Sequence, residues 1–106
     1  MPDLIRNVSF PFESDRFPPE LGAVVQRSIV KGEKPARVVI HDDENDWLVS
    51  DGIGDPNGDS VLFHIAHLAD RDPAIAELAS LPIGYVAFRS SVRESWQIDR
   101  FEYGEE

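Results

Sequence analysis

The chain has 106 residues, with 20 acidic and 10 basic side chains for a formal net charge of −10, 42% hydrophobic residues and no cysteine. That length and hydrophobic content fit one folded domain with a modest core. The lack of cysteine excludes disulfides, a thiolate nucleophile, a Cys-ligated zinc and an iron–sulfur cluster, and the acidic balance argues against nucleic acid, whose binding rests on clustered Lys and Arg.

Residues 1–18 carry Pro2, Pro11 and Pro18 with Phe10, Phe12 and Phe17 between them. This spacing forbids a long helix and reads as an extended arm whose aromatic rings pack on the domain. Leu21, Val24, Val25, Ser28 and Ile29 then recur at helical spacing behind Pro19, with Arg27 and Lys31 near the carbonyl end and Gly32 as a stop. The pattern predicts a helix over residues 19–31.

After Lys34-Pro35, the β-branched run Ala36 to His41 reads as a strand, Asp42 to Asn45 as a turn, and Asp46 to Ser50 as the returning strand. Together they predict an antiparallel hairpin over 36–50 with an acidic tip. Asp51 to Asp59 is dense in Asp, Gly and Asn and reads as a loop. The apolar run Ser60 to Leu68 fits either period, and its first half is assigned to a strand. Asp72 as N-cap and Pro73 in the first turn open a short helix at 73–80, closed by Leu81-Pro82. Gly84 to Arg89 and Ser95 to Phe101 alternate as strands, and 102–106 reads as a frayed acidic tail. The expectation is a single α+β domain with a four- to five-stranded, mainly antiparallel sheet and two helices packed on one face.

Between Val38 and Asp70 there is no Lys or Arg, while Asp42, Asp43, Glu44, Asp46, Asp51, Asp55 and Asp59 all fall there. The acidity is therefore local, and a local field can steer a basic partner. The same residues also serve turns for backbone reasons. Trp47 and Trp96 stand mid-strand, where core burial is the first explanation and an interface anchor the second.

Candidate chemistry is sparse. His64 and His67 stand three apart with Asp70 close behind, a weak metal-ligand spacing that serves one face on a helix but opposite faces on a strand. Asp55-x-Asn57-x-Asp59 begins like a calcium loop, but Ser60 stands where its Gly belongs and Ala66 where its bidentate Glu belongs. No nucleophile elbow or phosphate loop is present. No catalytic residue and no cofactor are assigned. The opening Met1 to Arg6 lacks a signal-peptide design and no 18 apolar residues run together, so a cytoplasmic protein without membrane contact is expected.

From Asp46 to Arg89 the chain resembles a bacterial family, domain of unknown function 2185, grouped with immunity proteins as immunity protein 33. The residues that carry the likeness are Asp46-Trp47 leading into Asp51-Gly52, then Asp72-Pro73-Ala74-Ile75-Ala76-Glu77-Leu78, Leu81-Pro82-Ile83-Gly84 and Ala87-Phe88-Arg89. The resemblance implies a non-enzymatic module that covers a cognate toxin, with a basic toxin domain as partner. The acidic residues 42–59, with Trp47, would then be the partner-binding surface. The alternatives are a small metal-dependent enzyme using His64, His67 and nearby carboxylates, or a homodimeric structural or regulatory domain.

Overall fold

A computed structural model describes residues 10–52 and 59–101. Six strands form one sheet: β1 (Gly22–Gln26), β2 (Val38–His41), β3 (Trp47–Ser50), β4 (Ser60–His64), β5 (Tyr85–Phe88) and β6 (Gln97–Arg100), in the order β4-β1-β3-β2-β5-β6. Among the described residues three short helices, α1 (Arg27–Val30), α2 (Ile65–Arg71) and α3 (Pro73–Ala76), complete an α+β domain. All pairings are antiparallel except that of β1 with β3, which run parallel. The sheet thus has more strands, and the domain one more helix, than the periodicity predicts.

The extra strand arises where a helix was expected. Residues 22–26 are extended, and only Arg27–Val30 is helical. Helical spacing over 19–31 competes there with a period of two, because Leu21, Ala23 and Val25 alternate and all three are fully buried. Between β4 and β3, the β-branched Val24 and Val25 satisfy both backbone ladders through partners distant in sequence, which outweighs local spacing. Gly32, with φ +77, closes α1 as expected.

The hairpin over 36–50 forms as β2 and β3, with Val39 opposite Val49 and His41 opposite Trp47. Ser60 to His64 is a strand and the chain turns helical at Ile65. The Asp72 side chain accepts from the Ala74 amide with Pro73 in the first turn of α3, and a 3-10 turn at Glu77–Ser80 carries the chain on to Leu81. In the arm, Phe12 and Phe17 are buried in the core on either side of a 3-10 turn at Glu13–Asp15, and Phe10 packs against that core. Residues 1–9, 53–58 and 102–106, which include the start of the arm, most of the Asp51–Asp59 loop and the tail, lie outside the described residues.

Register divides the sheet into two faces. Val61, Val25, Val49, Val39 and Ala87 stand side by side on one of them. Of these, Val25, Val49, Val39 and Ala87 share one core with Ile29 of α1, Ile65 and Leu68 of α2, and Ile75 of α3. The helices therefore cover a single face. Among the described residues no helix is long and apolar enough to cross a membrane.

Candidate functional site: the acidic hairpin tip and the open sheet face

The β2–β3 turn is shaped by its own side chains. Asp42 Oδ1 accepts from the amides of Glu44 (3.0 Å) and Asp46 (2.9 Å), and the Asp42 amide donates to the Asp46 carbonyl (3.0 Å). Asn45 sits at φ +65, a left-handed conformation that Asn tolerates better than most residues. Beneath the turn lies His41, fully buried, with its ring stacked on Trp47 at 3.9 Å. Its Nδ1 donates to the Leu81 carbonyl at 2.7 Å, since a carbonyl only accepts, and Nε2 meets the Asn45 side-chain amide at 2.6 Å. The atom facing Nε2 is Asn45 Oδ1, so both ring nitrogens stand against oxygen acceptors.

This bracing gathers Asp42, Glu44 and Asp46, whose carboxylate oxygens lie within 4.8 Å of one another. Of these Glu44 is exposed, as is the neighbouring Asp43. Crowded anionic oxygens repel one another, and an ammonium, a guanidinium or a hard cation relieves the repulsion.

The rest of the acidic stretch is not brought to this place. Asp51 stands at the other end of β3, buried, accepting from the Ser28 hydroxyl at 2.9 Å. Its amide donates to the Gln26 side-chain carbonyl at 2.6 Å, which also accepts from the Ser50 hydroxyl. Asp51 thus ties α1 to the ends of β1 and β3. Asp59 is exposed and paired with Arg27 at 2.8 Å, and Asp55 lies outside the described residues. Trp47 is only 1% exposed and packs edge-on to Phe17 at 5.1 Å, so its ring belongs to the core and not to the acidic surface. Five residue steps along an extended strand, about 17 Å, separate Asp46 from Asp51.

His64 ends β4 and His67 lies on α2, with ring centroids 6.3 Å apart; Asp70 is exposed near the end of the same helix. Among the described residues, the group of three that can converge on a metal is Asp42, Glu44 and Asp46, and neither histidine belongs to it. His67 stands edge-on to Phe63 at 5.9 Å instead.

Two features escaped the sequence reading. The first is Arg89, whose Nη2 reaches Asp72 at 2.7 Å and whose guanidinium lies 4.1 Å over the Trp96 ring. The second is the sheet face turned away from the helices. Leu62, Val24, Leu48, Ile40 and Val86 line up across five strands there. None of them belongs to the core or to the partly buried hydrophobics packed against it. A signal was present: Val38-Val39-Ile40, Leu48-Val49 and Val61-Leu62-Phe63 are apolar in both phases, whereas a sheet with one wet face alternates.

The chain matches no protein-family model, no curated protein and no solved structure.

Proposed function

We propose that this protein is a non-enzymatic protein-binding module that engages a basic partner through the acidic β2–β3 tip. The observation that carries the reading is the braced turn, in which Asp42 and the buried His41 hold three carboxylates within 4.8 Å. A turn set before binding loses little entropy on docking, and a focused negative field speeds encounter with a positive surface. The likeness of residues Asp46 to Arg89 to the immunity protein 33 family favours a toxin domain with a basic active site as that partner, in a bacterial cytoplasm.

The test is binding of the purified protein to the large effector encoded beside its gene, measured across a salt series. Binding that weakens steeply as the Debye length falls from about 10 Å at 0.1 M to about 3 Å at 1 M supports the reading. Absent binding, or binding indifferent to salt, overturns it.

A further inference from the structure

The geometry points to the open sheet face as a docking site for an amphipathic helix whose apolar stripe is flanked by Lys or Arg. This deepens the proposed function, resting on its basic partner and naming the surface and the shape that meet it. Leu62, Val24, Leu48, Ile40 and Val86 form one row by register, and Val38 and Phe88 widen it at the β2–β5 end. Leu62 is 47% exposed and Phe88 38%, an uneven cost to leave in water on a chain this small.

Size selects the occupant. Five strands at about 4.8 Å spacing make a stripe about 19 Å long and one to two residues wide. A second copy of this chain, with a net charge of −10, would bring like charge to the acidic border of the stripe. The same length matches about 13 residues of helix at 1.5 Å each.

Charge selects its chemistry. Along one long border, in the same strand phase as Ile40 and Leu48, stand Asp42 and Asp46 of the acidic tip. Asp99 closes the stripe beside Val86. On the opposite border Arg37 is committed to the carbonyls of Asp51 (3.2 Å) and Ser90 (2.7 Å). A helix seated here meets leucine-like contacts beneath and carboxylates along one flank and at one end, which favours cationic side chains there.

The probe is a synthetic helical peptide of about 14 residues with Leu along one face and Lys along one flank and at one end, compared by fluorescence anisotropy with a twin carrying Glu for Lys. The Lys peptide is expected to bind the full chain at least about tenfold more tightly than its twin. Leu62→Ser, at an exposed position that leaves the core intact, is expected to weaken binding about tenfold. Asp46→Asn is expected to weaken it and flatten its salt dependence, and Ile98→Ser, on the other face, to leave it unchanged. The inference is overturned if the Lys peptide does not bind, if the twin binds equally, or if Leu62→Ser has no effect. A doubled mass in light scattering that Leu62→Ser abolishes also overturns it, in favour of self-association. An effector that binds with salt dependence but ignores Leu62→Ser removes this surface and leaves the proposed function standing. Peptide binding without effector binding does the reverse.

Discussion

Arg89 Nη2 donates to Asp72 Oδ2 at 2.7 Å, joining the end of β5 to the residue whose other carboxylate oxygen caps α3. The Arg89 side chain is 1% exposed and Asp72 is partly open. Nε and Nη2 of Arg89 also donate to the Ala36 carbonyl at 3.1 and 2.9 Å, and Trp96 lies under the guanidinium while its indole N–H donates to the Ala74 carbonyl at 2.8 Å. One cation therefore holds β5, α3 and the segments entering β2 and β6.

The two sides of this pair are expected to be coupled, so that removing both costs less than the sum of removing each. Asp72→Ala deletes the cap, worth about 1 kcal/mol, and leaves a buried guanidinium short of its counter-charge, for a loss of about 3–5 kcal/mol. Arg89→Met alone removes the bonds to Ala36 but leaves the cap. The double variant should lose less than the sum, which urea unfolding of all four proteins measures.

His41 is expected to carry its proton on Nδ1. Long-range nitrogen–proton correlation spectra of the imidazole identify the protonated nitrogens directly, and a ring without a proton on Nδ1 would contradict the bond to Leu81. Asn45→Ala is expected to cost about 1–3 kcal/mol in thermal or urea unfolding, because it strands a buried ring nitrogen and places alanine at positive φ.

The two tryptophans are expected to report different environments. In a Trp96→Phe variant the remaining emission comes from Trp47 and should be blue-shifted and shielded from acrylamide; in Trp47→Phe the emission from Trp96 should be more readily quenched. Trp47→Ala should destabilise by about 3–5 kcal/mol, the range for deleting a large buried aromatic.

Asp51→Ala should destabilise by about 1–3 kcal/mol, since it leaves the Ser28 hydroxyl without its acceptor. Glu44→Gln, exposed and crowded by Asp42 and Asp46, should leave stability within about 0.5 kcal/mol of the parent. The contrast, read from urea midpoints, separates acids that build the fold from acids that stay exposed, although both fall in the same acidic run.

The hairpin, the Asp72-Pro73 helix start and the strands around Ala87 and Ile98 were legible because their signals are local. Turn chemistry, a cap and period-two alternation act within a few residues. The β1 segment was not legible, because Leu21 to Ile29 satisfies two periods and the choice falls to β3 and β4, partners far along the chain. The acidic tip was legible as charge, but its separation from Asp51 was not, because composition does not tell which carboxylates flank opposite ends of one strand.

From the sequence alone follow a small acidic α+β domain, the turn between β2 and β3, the helix start at Asp72-Pro73, and the concentration of charge between Asp42 and Asp59. Tertiary structure alone decided that β1 is a strand parallel to β3, that Asp51 is interior, and that among the described residues one sheet face stays apolar and turned away from the helices. Local signals reach only a few residues, whereas burial and register depend on which distant strand lies alongside.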